Sequence, residues 1–228
     1  MRRTRPQTMK SGAPPQSDAE GPAPTRAWVR LYSGKRLDLL NPTPFDWEDS
    51  DLATGLARTY RWGGHSAWDL PLSVAQHSLL VLALRRAWHP AIDDPRADLR
   101  ELLHDADEGL LGFDCISVVK PFLGERYRRL TESLERAVAL RYGLAPWTEA
   151  EKKPHKRADR VAAASEAVHV VGWTHREVRA TLGIAHQPLT EDPLIAIYGG
   201  VPWEPWSPAL AAERFLTELR ALSLRLEP

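Results

Sequence analysis

"ELLHDADEGLLGFD" runs from Glu101 to Asp114. His104 and Asp105 stand side by side in an apolar segment that reads as helix, and Glu108 follows His104 one turn later. Polar groups set among leucines cost free energy unless something uses them. Adjacent helical residues point about 100° apart, so His104 and Asp105 flank a common direction and can both reach one ion. A lone His-Asp pair is more often structural than ligating, but two other segments carry similar anomalies. His77 lies in "VAQHSLLVLAL", where Val74, Val81 and Leu84 share its face. Asp159 lies in "KRADRVAAASEA" among small residues, where an unpaired carboxylate would cost on the order of several kcal/mol if buried. Two imidazoles and two carboxylates, drawn from three segments, make a mixed nitrogen and oxygen site. Such a set suits one divalent ion, with Mn, Fe, Co, Ni, Mg or Zn as candidates. No cysteine stands near these residues, which excludes a structural zinc finger.

The rest of the chain reads outward from that motif. Asp94-Pro95 offers an N-cap and a first helical residue for the segment that carries it. Before it, Ser73 opens "SVAQHSLLVLALRRAW" with Gln76 as a capping-box partner, and this helix is apolar nearly all round, hence buried. Leu52, Leu56 and Tyr60 recur at helical spacing, and "RWGGH" closes that segment with two glycines. "AWVRLYSGKRLDLL" holds two alternating runs about Ser33-Gly34, a hairpin signal. After the motif, "RYRRLTESLERAVALRYG" turns Leu130, Leu134, Ala137 and Val138 inward and stops at Gly143. "EKKPHKRADRVAAASEAVHVVGW" forms a further helix. Ser207-Pro208 starts a last one, with Ala212, Phe215, Leu216, Leu219 and Leu222 on one stripe. Residues 183–206, rich in proline and glycine, carry no clear element. The expectation is an all-α domain over residues 27–228 with a small N-terminal β-hairpin. The first 26 residues, rich in Pro, Ser and Arg, read as a disordered tail.

Composition narrows the partners. The chain has 228 residues, long enough for one domain with a sizeable core. Thirty basic and thirty acidic side chains cancel, so no overall field steers a nucleic-acid polymer or a membrane surface to the protein. A small-molecule partner fits better. Cys115 is the only cysteine and can form no internal disulfide, which suits a reducing cytoplasm. No apolar run approaches the roughly 20 residues of a membrane span, and residues 1–26 lack the apolar core of a signal peptide.

The order His77, His104-Asp105, Asp159 resembles the H…HD…D signature of the HD-domain metal-dependent phosphohydrolases. From about Val29 to Trp173 the likeness is to the bacterial and phage branch related to 5′-deoxynucleotidases. It is carried by "RLYSGKRLDLLNPTPFDWEDSDLATGLARTYRWGGHSAWDLPLSVAQHSLLV" and by "LLHDADEGLLGFDCISVVK". The resemblance implies an HD-domain helical bundle in which His77, His104, Asp105 and Asp159 bind the ion. It further implies that Asp105 and Glu108 act in catalysis, with Glu108 positioning or deprotonating a water, and that the protein forms a homodimer or higher homo-oligomer. Ile116 and Val118 stand where such relatives carry prolines, and Phe113 reads as a one-residue insertion.

A divalent ion at such a site suits hydrolysis of a phosphate ester. Arg61 and His65, flanking Gly63-Gly64 in "YRWGGHS", are candidates to meet the substrate's negative charge. Trp62 either stacks on a base or packs in the core. Lys120 either reaches phosphate or is solvated, and Asp114 either fixes a sugar hydroxyl or caps the next turn. His155, with His89, His169, His175 and His186, has no companion at metal spacing and reads as structural or surface. The leading expectation is release of phosphate from deoxynucleoside 5′-monophosphates. A dNTP triphosphohydrolase that releases tripolyphosphate, and a catalytically silent nucleotide sensor, are the alternatives.

Overall fold

Trp28–Arg30 (β1) and Arg36–Asp38 (β2) pair antiparallel with Val29 opposite Leu37, and Gly34 supplies the left-handed turn residue at φ 91°. The computed structural model describes residues 25–116 and 119–226; the expected tail lies outside these except for Thr25 and Arg26. Among the described residues this hairpin is the only sheet, and helices make up most of the remainder. Asp51 anchors the hairpin to the first helix, α1 (Asp49–Arg58). Its carboxylate accepts from the Ser33 amide at 2.6 Å, the Ser33 hydroxyl at 2.7 Å and the Glu48 amide at 2.8 Å. Tyr60, expected on this helix, lies just past its end in a bridge to Ser73.

The helix α2 (Val74–Trp88) is buried on all sides from Val74 to Leu84, as its sequence implies. Ser73 caps it by accepting from the Gln76 amide at 3.2 Å. The expected capping box does not form, because the Gln76 side chain turns away to a distant segment. Its Nε2 donates to the Glu204 carbonyl at 3.0 Å and its Oε1 accepts from the Trp206 amide at 2.8 Å. Two backbone groups of that segment are thereby satisfied.

A single helix through the motif is also not what forms. Helix α3 (Pro95–Leu102), capped by Asp94, ends before His104, and α4 (Ala106–Leu111) begins after Asp105. Leu103 (φ −98°, ψ 12°) and Asp105 (φ −112°, ψ 25°) adopt the bridge conformation between them. In a continuous helix the Glu101 carbonyl would receive the Asp105 amide. Here it accepts from His104 Nδ1 at 2.8 Å instead, and the side-chain bond replaces the backbone one.

Beyond the motif come α5 (Lys120–Tyr142), broken at Gly124 and closed by Gly143, and α6 (Glu149–Glu166), which continues into a π turn over Ala167–Val171. Helix α7 (His175–Ala180) follows, and α8 (Pro193–Tyr198), capped by Asp192, occupies the stretch where no element was expected. The last helix, α9 (Pro208–Leu224), buries Ala211, Phe215, Leu219 and Leu222. It packs on α1, α2 and α3, while α2 also meets α6 and α8. Among the described residues no helix is long and apolar enough to cross a membrane.

Candidate metal centre

The centre forms where α2, the turn between α3 and α4, and α6 meet. His77, fully buried on α2, directs Nε2 to within 3.3 Å of His104 Nε2, 3.6 Å of Asp105 Oδ2 and 3.3 Å of Asp159 Oδ1. His104 Nε2 and Asp105 Oδ2 lie 3.1 Å apart. The α3–α4 break makes this possible by turning two neighbouring side chains to one point. Asp159 joins from α6 on the open side, with 38% of its side chain exposed. Among the described residues His77, His104 and Asp105 form a group that could hold a metal ion, and Asp159, the fourth residue expected there, meets it through His77.

Proton positions bear on what fits. His77 Nδ1 lies 2.6 Å from Glu166 Oε1 and His104 Nδ1 lies 2.8 Å from the Glu101 carbonyl. Both partners are acceptors, so both Nδ1 atoms carry the proton and both Nε2 lone pairs face the cluster. Two lone pairs 3.3 Å apart beside two carboxylates repel one another unless a positive charge lies among them. Burial and Arg61 oppose a charge on His77, yet Glu166 and Asp159 outweigh them and push it up to about 9. Burial likewise opposes a charge on His104, and Asp105 overcomes it to raise that imidazole too. Burial acts against ionisation of Asp105 and Asp159 as well, but the two histidines hold both carboxyls far below their usual range. This donor set fits a divalent cation, whose charge replaces the protons that the imidazoles would otherwise take up.

Glu166 is the residue that sequence reasoning missed. It is 1% exposed, and one oxygen accepts from His77 while the other accepts from Arg61 Nε at 2.9 Å and Trp62 Nε1 at 3.2 Å. Burial disfavours its charge, but Arg61 and His77 hold the carboxyl at about 2. Its signal was present in the sequence: Glu166 stands seven residues after Asp159, two turns along the same face of α6. His155, read as structural or surface, is a second such residue. It lies one turn before Asp159, bonds Glu101 Oε2 through Nδ1 at 2.7 Å, and sets its ring edge-on to His104 with centroids 5.0 Å apart.

The remaining expected residues divide. Arg61 opens a 3₁₀ turn, Arg61–Gly64, and its guanidinium reaches 3.8 Å from Asp105 Oδ2. Trp62 holds a left-handed backbone at φ 59°, and its partly buried ring packs beside Ala164, Ala167 and Val178. His65 is exposed, and among the described residues its side chain makes no hydrogen bond or ion pair. Glu108 is 4% exposed; Lys120 Nζ approaches its Oε1 at 3.4 Å, while its Oε2 is buried without a partner. Burial, then Asp105 and Asp114, push the Glu108 carboxyl up to about 9 against the pull of Arg61 and Lys120. Asp114 is half-buried, and burial raises its carboxyl against the pull of Arg61.

No family model matches the chain. An uncharacterized protein of Rhodobacter capsulatus is 45% identical over 159 residues, which span 69% of this chain and 80% of that protein. Identity at this level over most of both chains implies a shared fold, and the protein belongs to the same family as its Rhodobacter capsulatus relative.

Proposed function

We propose that the protein is a cytoplasmic metal-dependent phosphohydrolase of the HD-domain type that releases phosphate from deoxynucleoside 5′-monophosphates. The observation that carries this reading is the convergence of two imidazole Nε2 atoms and Asp105 Oδ2, with a guanidinium 3.8 Å from that same carboxylate oxygen. His77, His104, Asp105 and Asp159 would hold the ion. When bound, it lowers the pKa of water and neutralises charge on a phosphoryl oxygen. Arg61 is fixed by Glu166 and supplies permanent positive charge at the edge of the centre. Lys120, half-exposed beside Glu108, would add a second cation for the phosphate. Glu108 is the buried carboxylate with a free oxygen beside the centre, and it would serve as the proton acceptor for the attacking water.

The test is a product assay of protein loaded separately with Mn, Co and Mg, run against deoxynucleoside mono- and triphosphates. Orthophosphate from the monophosphates is the expected product. Intact tripolyphosphate would replace this reading with a triphosphohydrolase, and no turnover with the ion bound would replace it with a nucleotide sensor. Glu108→Gln should keep the ion and lose about 10²- to 10⁴-fold in turnover, the span of a general base. Loss of the ion in that variant would make Glu108 a ligand instead.

A further inference from the structure

Helix α6 has two chemically different faces. His155, Asp159 and Glu166 recur on the side turned to the metal centre. Lys153, Lys156, Arg157 and Arg160 fall about a quarter to half a turn round the axis from them, and this second face has no part in the site described above. With Trp88 and His186 these four cations line a cavity of about 560 Å³.

Three features of this cavity point to an anionic ligand. Among the described residues no hydrogen bond or ion pair engages Lys153, Lys156 or Arg160, although the chain as a whole has one acid for every base. Glu149, the one acid on the lining, is bound to Lys152 at 2.7 Å. Like charges held about one turn apart on one helix face repel, and the concave wall focuses their field into the space between them. Arg157 lies over the Trp88 ring at 4.5 Å from its centroid, which steadies one guanidinium and gives the cavity an aromatic wall. His186 adds a buried Nδ1 that has no partner. The volume falls within the roughly 300–1,000 Å³ of small-molecule sites and is far larger than orthophosphate needs.

We propose that this cavity is a second binding site, for a small molecule bearing a di- or triphosphate chain, on a face of α6 turned away from the metal centre. The phosphate chain spans Lys153, Lys156 and Arg160, and Trp88 and His186 close the wall behind it. The site stands apart from the proposed hydrolysis and does not depend on it.

Titration calorimetry with inorganic tripolyphosphate tests the proposal, using metal-free Asp105→Asn so that the metal centre contributes little. Saturable one-to-one binding, weakened by added salt, is expected. In the same background K153Q/K156Q/R160Q should weaken binding at least 10-fold, and K153E/K156E/R160E should abolish it. All three side chains are exposed, and an unchanged circular dichroism spectrum and melting temperature would show the fold intact. Equal affinity with and without the three charges would overturn the proposal, as would failure to bind millimolar tripolyphosphate. A parallel titration with a nucleoside triphosphate separates two sources of the same chemistry. Tighter binding than tripolyphosphate assigns the site to a nucleotide, and equal binding assigns it to the phosphate chain alone.

Discussion

Glu166 accepts from His77, Arg61 and Trp62 with two oxygens, so one buried carboxylate fixes an imidazole's tautomer and a guanidinium's direction together. A partner that orients a metal-binding histidine typically contributes about 10- to 100-fold in metal affinity. Glu166→Gln should therefore weaken Mn or Co binding by that order in a chelator competition, with the protein still folded. Because the other oxygen of the same carboxylate holds Arg61, the variant should also weaken substrate affinity; unchanged metal affinity would reduce Glu166 to a packing role. The four candidate ligands were legible in the sequence because each is a polar side chain set in an apolar run. Glu166 sits in such a run too, but its significance depends on which face of α6 meets α2, and that is tertiary information. His155 escaped for the same reason, since its partner Glu101 lies fifty-four residues away. His65, suggested by its two neighbouring glycines, is exposed and makes no contact that periodicity could have foreseen.

Between elements, the close approach of α1 and α4 depends on two glycines. A Cβ at Gly55 would overlap the Gly109 carbonyl, and one at Gly109 would overlap the Leu56 side chain and backbone nitrogen. Gly109 follows Glu108 directly, so whatever moves α4 moves the candidate base. Gly109→Ala should cost about 1–3 kcal/mol in urea unfolding, the usual range for overpacking, and should lower turnover through Glu108 as well. The start of α6 gives a second test. Glu151 Oε2 accepts from the Thr148 amide at 2.8 Å and hydroxyl at 2.7 Å, and Oε1 pairs with Arg100 at 2.7 Å. The Thr148 bonds first, then Arg100, hold the carboxyl at about 2, below its ordinary 4.5. A folded-state value below the unfolded one stabilises the protein above about 4.5 and loses that contribution as pH falls towards about 2. The side chain is partly exposed, so Glu151→Gln should cost about 1 kcal/mol at most near neutral pH. That gap from wild type should close in acid; a gap that persists there would assign the loss to packing. Helix starts at Ser73, Asp94 and Ser207 were legible because a cap is a local bond. The α3–α4 break was not, because it follows from a side chain taking a backbone acceptor that no periodicity reveals.

At the scale of the molecule, the helical class and the hairpin could be read from periodicity and turn residues, and the meeting of three segments about one point from their polar anomalies, whereas the Glu166 and His155 contacts that brace that point could not. That assembly has an energetic consequence. It brings the negative charges of Asp105 and Asp159 and the Nε2 lone pairs of two imidazoles together from segments far apart in sequence. The unfolded chain has no such cluster, so an ion that binds the cluster favours the folded state. At a free ion concentration about 100 times Kd the gain is about 2.7 kcal/mol. For a chain of this size each kcal/mol raises the melting temperature by about 2–4 °C, which gives a rise of roughly 5–11 °C. Calorimetric melting with and without saturating Mn or Co measures it. Asp105→Ala should remove the ion-dependent increment whatever its effect on the ion-free melting temperature, because the increment compares one variant with itself. An increment retained without the Asp105 carboxylate would place the ion elsewhere, and with it the reading of these residues as a metal centre would fail.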